Sequence, residues 1–155
     1  MQVNAREDIE APLDRVFAEL TDFEAIERRA LRRGIEIRRT DGLAGPQAGM
    51  AWQTTFRFRG KPRDATVILS EMKAPETLVF TSNSGGLDIV TRVDLVALSR
   101  GRTRVSVESE LMPKTLSARL LVQSLKLAKG NINTRFRKRV GLYAKELEDR
   151  LNRMA

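Results

Sequence analysis

A few polar residues fall where a strand pattern calls for apolar ones, and they are the first place to look for chemistry. Thr54, Thr91 and Ser109 share the parity of apolar neighbours on three separate predicted strands, so a sheet that buries those neighbours also buries three hydroxyls. A buried hydroxyl needs a hydrogen-bond partner, which a ligand, trapped waters or nearby backbone can supply. Glu7 interrupts the alternation of Val3, Ala5 and Ile9 in "VNAREDI". It sits at a bulge, or it points toward the interior near the strand's end. A carboxyl group desolvated among apolar residues has a raised pKa and can serve as a general acid or base. The alternative is a strand-end glutamate that reaches water or pairs with an arginine.

Other chemistry is excluded by composition. The chain has no cysteine and no histidine, hence no disulfide frame, no Cys or His zinc site, no thiolate nucleophile and no imidazole base. Acidic residues do not form a calcium-loop pattern, and Gly85-Gly86 lacks the strand-to-helix setting of a phosphate loop. No metal and no cofactor are expected. At 155 residues the chain has the length of one domain, 1–155, able to bury a core without covalent staples. The start "MQVNAREDIE" lacks the features of a signal peptide, and no run approaches the ~18 apolar residues of a membrane span, which reads as soluble and cytoplasmic.

The elements that would position these residues follow in order. After the first strand, Pro12 opens a helix with Val16, Phe17 and Leu20 at helical spacing. Thr21 or Asp22 then caps a second short helix carrying Phe23, Ile26 and Leu31, ended by Gly34. Six strands are expected at "IEIRRT", "MAWQTTFRFR", "RDATVILSEM", "TLVFTSN", "LDIVTRVDLVAL" and "RTRVSVESELM", joined mostly by short turns, as in an antiparallel meander. One face is apolar and the other polar, although in "ATVIL" both parities are apolar and neither face can be assigned. From Thr115 to about Leu151 a helix of roughly 55 Å is expected, weakened in its middle by Gly130-Asn131 as the place for a bend. Leu121, Leu125, Ile132, Phe136, Val140, Tyr143 and Leu147 fall within about 100° of one another on its wheel, a lid for the apolar face.

Charge is concentrated on that last element. Residues 111–145 hold nine Lys and Arg and no Asp or Glu, so they carry the excess of +8. Arg119, Lys126 and Arg137 lie along one flank, while Lys129 and Arg139 border the apolar arc, where they could meet an anionic head group. Leu116, Leu120 and Leu127 lie opposite that arc. Burying this second stripe needs the small helices, a second subunit or a membrane interface, and the basic surroundings make an anionic membrane surface a candidate partner. Aromatics are few and belong to the core, which argues against nucleic acid. The oligomeric state stays open.

The order of one strand, two short helices, an antiparallel run and a long C-terminal helix resembles the START-like superfamily, also called SRPBCC or polyketide cyclase/lipid-transport proteins. The resemblance spans residues 2–150 and rests on "IEAPLDRVFAELTDFEAIE", "GPQAGMAWQTTFRFRGKPRDATVIL" and "EMKAPETLVFTS". It implies an α+β helix-grip fold, with a curved antiparallel sheet of six to seven strands wrapped around the long helix. It also implies a cavity between sheet and helix for an apolar or amphipathic small molecule such as a lipid, isoprenoid or polyketide. The inward strand positions and the helix arc then supply the lining: Trp52, Thr54, Phe56, Phe80, Ser82, Ile89, Thr91, Ser109, Leu125, Ile132 and Phe136. Each aliphatic or aromatic member is equally suited to plain packing. Two further readings are a cyclase or dehydratase with Glu7 as proton shuttle, and a membrane-peripheral module using the basic helix. No catalytic residue carries over from the resemblance.

Overall fold

The computed structural model describes residues 1–153, the side chain of Lys129 excepted. Strand β1 (Gln2–Ile9) buries Val3, Ala5 and Ile9 and pairs antiparallel with the last strand, β7 (Arg102–Pro113). The register runs unbroken from Gln2 opposite Glu110 to Ile9 opposite Thr103. Glu7 is therefore not at a bulge. It keeps the parity of the buried residues and faces the concave side of the sheet.

Two helices follow, α1 (Leu13–Leu20) and α2 (Phe23–Arg32). Asp22 caps α2 by accepting from the backbone N–H of Ala25 at 3.3 Å, whereas the Thr21 hydroxyl turns back to donate to the Phe17 carbonyl at 2.9 Å. These helices lead the chain from one edge of the sheet to the other. The seven strands lie in the order β1-β7-β6-β5-β4-β3-β2, where β2 is Glu36–Arg39, β3 Ala51–Phe58, β4 Lys61–Lys73, β5 Thr77–Ser84 and β6 Leu87–Ser99. Each neighbouring pair is antiparallel.

The strand with ambiguous faces is resolved by its register. Ala65, opposite Thr54, and Leu69, opposite Phe80, are buried, while Thr66 and Ile68 face out. Register then shifts between Leu69 and Glu71, which returns Met72 to the inner face opposite Leu78. A bulge of this kind bends the strand and raises its twist, curling the sheet. β3 and β4 are joined by a two-residue turn in which Arg59 (φ 53°) and Gly60 (φ 75°) both adopt left-handed conformations, as a type I′ hairpin requires.

The expected single rod is two helices, α3 (Leu116–Leu127) and α4 (Lys129–Arg153). The interruption falls at Ala128 (φ −108°, ψ 25°), and Gly130 and Asn131 continue inside α4. The break lets the two helices seat on different apolar clusters. The larger unites Phe17 and Phe23 of the small helices, Trp52, Leu69 and Leu78 of the sheet, and Ala144, Leu147 and Leu151 of α4. The smaller contains Leu87, Ala118 and Val122, with Ile89, Leu111 and Leu121 around it. Between the clusters the concave face is only half buried, at Thr54, Ser82, Thr91 and Val107 and on the facing Phe136 and Val140. No described helix is long and apolar enough to cross a membrane.

Candidate functional site

An apolar cleft opens where α2 crosses the mouth of the curled sheet. Its volume is about 270 Å³, and it is open to solvent. α2 contributes Phe23 and Ile26, one turn apart on its inner face, with Leu20 from the end of α1 beside them. The sheet contributes Ile37, Trp52, Val67, Leu78, Phe80 and Val93, and α4 contributes Tyr143. Register explains the floor: Trp52 lies opposite Val67, and Leu78 opposite Val93, so neighbouring strands present apolar side chains at the same level. Apart from the Tyr143 hydroxyl and the indole N–H of Trp52, the one polar side chain in the lining is Glu27.

The back wall is aromatic. Phe23 meets Trp52 edge-on with ring centroids 5.1 Å apart, and meets Phe80 at 6.3 Å with planes nearly perpendicular. The guanidinium of Arg39 lies 5.9 Å from the Trp52 ring centroid. Arg39 is in turn held by Asp41, donating from Nε to Oδ2 at 2.7 Å. Asp41 also accepts from the backbone N–H groups of Ala51 at 2.8 Å and Leu43 at 2.9 Å. The Arg39 hydrogen bond foremost, and then the Ala51 N–H, hold the Asp41 carboxyl far below the usual carboxylate range. This clamp ties the loop before β3 to the strand that carries Trp52. Trp52 Nε1 is itself buried and has no hydrogen-bond partner among the described residues.

Of the residues singled out from the sequence, Trp52 and Phe80 lie in this lining. Thr54 and Phe56 sit further along β3, half buried and opposite Ala65 and Arg63. Ser82 lies opposite Ile89, which packs on the smaller cluster. Thr91 and Ser109 are directly opposite each other, and their hydroxyl oxygens are 2.8 Å apart. One hydroxyl therefore donates to the other, so the pair meets part of its own hydrogen-bonding need without a ligand. Leu125 is buried on α3, while Ile132 and Phe136 are half buried on the first part of α4. None of these nine lines the cleft.

The missed contributions are Leu20, Phe23, Ile26, Ile37 and Tyr143. The spacing of Phe23 and Ile26 after an Asp cap was visible as a helix face, but whether that face fills the opening or borders a cleft depends on how far α2 stands from the sheet. Glu7 belongs elsewhere. It lines a separate polar recess of about 490 Å³ with Val107, Arg92 and Arg137. Its Oε1 lies 3.0 Å from where a side chain on Gly141 would begin, so α4 passes close enough that a larger residue there would make the Glu7 carboxylate shift. Arg137 donates to the Asn4 carbonyl at 3.3 Å, and Arg139 is exposed beside Arg33 and Glu146. The side chain of Lys129 is outside the described residues.

No protein-family model and no curated protein matches the sequence. Solved structures do resemble the fold. The Zhui aromatase/cyclase from Streptomyces sp. R1128 is 11% identical, with a TM-score of 0.68 over 97% of this chain and 95% of that one. Truncated norcoclaurine synthase from Thalictrum flavum is 12% identical, with a TM-score of 0.67 over 97% and 92%. A START superfamily protein from Mycobacterium smegmatis is 12% identical, with a TM-score of 0.59 over 86% and 95%. The chain therefore has the START-like helix-grip fold: an antiparallel sheet, two short helices after the first strand and a long C-terminal helix.

Proposed function

We propose that the protein binds an apolar or amphipathic small molecule in the cleft beneath α2. The observation that carries this reading is the character of the lining, ten aliphatic or aromatic side chains with Glu27 as the one charged group. Ligand sites for drug-sized molecules span about 300–1,000 Å³, so about 270 Å³ suits a small ring system or one end of a longer chain that leaves through the open mouth. The likeness of fold to a START superfamily protein and to an aromatase/cyclase supports the same ligand chemistry. A cyclase or dehydratase reading has less support, because Glu7, its proposed proton shuttle, lies in the polar recess and not in the apolar cleft.

The test is to fill the cleft. Ile26→Trp places an indole into it from α2, a helix face only partly buried, so the fold can accommodate the change. Binding of an environment-sensitive apolar dye should weaken roughly tenfold or more while the melting temperature stays within a few degrees of wild type. Equal dye affinity in the two proteins would place the binding elsewhere or nowhere.

A further inference from the structure

α3 leaves one of its faces without a partner among the described residues. Leu116, Leu120 and Leu127 are 72%, 63% and 92% exposed, although they fall within about 40° of each other on the helical wheel. The opposite face is used: Ala118, Val122 and Leu125 are buried against the sheet. The stripe is thus an apolar ridge in water, interrupted only by the exposed Gln123 between Leu120 and Leu127, and not an accident of a loosely attached helix. Exposed apolar ridges of this kind mark interaction surfaces.

What surrounds the ridge selects the partner. Arg119 and Lys126 flank it on one side. On the other side stands Ser124, whose hydroxyl accepts from Arg59 Nη2 at 3.3 Å, so the tip of the β3–β4 hairpin abuts the helix. Lys61 and Arg63 of that hairpin lie opposite Phe58 and Phe56, Arg57 projects from its other face, and Phe58 is itself 38% exposed with the Arg59 guanidinium 5.5 Å from its ring centroid. Between residues 111 and 145 there is no acidic side chain at all. Arg59 also occupies a left-handed conformation that Gly or Asn would take with less strain.

From this arrangement we infer that α3 and the β3–β4 hairpin form a docking surface for an anionic lipid bilayer, with the leucines entering the interface and the cations resting on the head groups. A second copy of the chain fits poorly, since a two-fold contact through this face would set cation against cation without an acid to pair them. Nucleic acid fits poorly too, because the centre of the face is aliphatic and offers no aromatic stacking platform. The inference stands independently of the cleft: docking needs no ligand, and an empty cleft would leave it unchanged.

Vesicle flotation tests it, comparing phosphatidylcholine alone with phosphatidylcholine containing phosphatidylglycerol. Wild type should float with the anionic vesicles, partition much less to the neutral ones, and lose binding as salt is raised. The variant Leu116→Ser/Leu120→Ser/Leu127→Ser should lose at least a hundredfold in partitioning, given the cost of forgoing burial of three leucines, while its thermal unfolding stays close to wild type. Arg59→Asn should lose roughly fivefold and should melt no lower than wild type, since asparagine tolerates the left-handed turn. Absence of flotation overturns the inference. So does flotation that ignores the leucine substitutions, which would reduce it to charge adsorption. Tighter binding to single-stranded oligonucleotide than to vesicles, or self-association that the leucine variant abolishes, would assign the face to another partner.

Discussion

α3 and the last turns of α4 are both amphipathic, yet the sheet receives them differently. At the α4 end, Leu147 is fully buried, and polar latches surround it: Arg150 to Glu19 at 3.1 Å, Arg15 to the Leu151 carbonyl at 2.8 Å, and the Glu10 N–H to Glu148 at 2.7 Å. At the α3 end, Ala118 and Val122, with Leu121 beside them, reach a minor cluster while Leu116, Leu120 and Leu127 face water. The difference separates two tasks within one terminal segment. One end anchors the fold around the small helices, and the other is cheap to alter structurally and therefore available for surface chemistry.

Deleting methylenes at the two ends is the strongest way to break that comparison. Leu147→Ala removes a completely buried side chain from the larger cluster and should cost about 2–5 kcal/mol in urea denaturation. Leu120→Ala removes a side chain that is 63% exposed and should stay within about 0.5 kcal/mol of wild type. Equal costs would mean that α3 is as much a part of the core as α4.

Acid sharpens the contrast at the anchored end, with a smaller effect. The Asp41 carboxyl is stabilised in its charged form by Arg39 and two backbone N–H groups, so its folded pKa lies below the unfolded value. A depressed carboxylate contributes stability that is fully present above the unfolded pKa of about 3.9 and is lost as pH falls toward the folded one. Asp8, held down chiefly by its hydrogen bond to Arg104, acts in the same direction. Asp41→Asn should therefore be less stable than wild type at neutral pH, with the gap narrowing below about pH 4. A gap independent of pH would show that the loop is held by shape and not by the carboxylate's charge.

The contrast between the two ends also explains how much the sequence could reveal. Strand positions were legible because alternation over eight to thirteen residues, in every strand but the four-residue β2, leaves few registers open, and most of the turns between them are short. "ATVIL" was illegible because its inner and outer residues are both apolar, and only pairing with Thr54 and Phe80 distinguishes them. The exposed leucine stripe was visible as an unmatched face, since helical geometry alone sets Leu116, Leu120 and Leu127 opposite Leu125. The Ala128 break was not, because alanine carries no local reason to end a helix and the interruption comes from seating two helices on separate clusters. The site was the least legible part. Its lining draws on three helices and five strands, β2–β6, and sequence parity says which residues face inward but not which inward residues are left with space in front of them. Thr91 and Ser109 illustrate the limit: their shared parity was readable, but their meeting at 2.8 Å follows from cross-strand register.

The smallest expected effect lies in the aromatic wall itself. Trp52 is 4% exposed, and its Nε1 is a buried donor with no partner among the described residues, an arrangement that costs about 1–3 kcal/mol relative to a satisfied group. Trp52→Phe removes that donor, keeps an aromatic face for Phe23, and gives up some buried area and part of the contact with Arg39, worth about 0.5–1 kcal/mol. The two contributions oppose each other, so the net change in unfolding free energy should lie within about 1 kcal/mol, far less than truncating Leu147. Ligand preference is the more sensitive readout. If the indole N–H is completed by a bound molecule, ligands bearing an acceptor oxygen should lose affinity in the phenylalanine variant while pure hydrocarbons of the same size should not. Equal losses for both would mean that Trp52 serves the cleft through its shape alone.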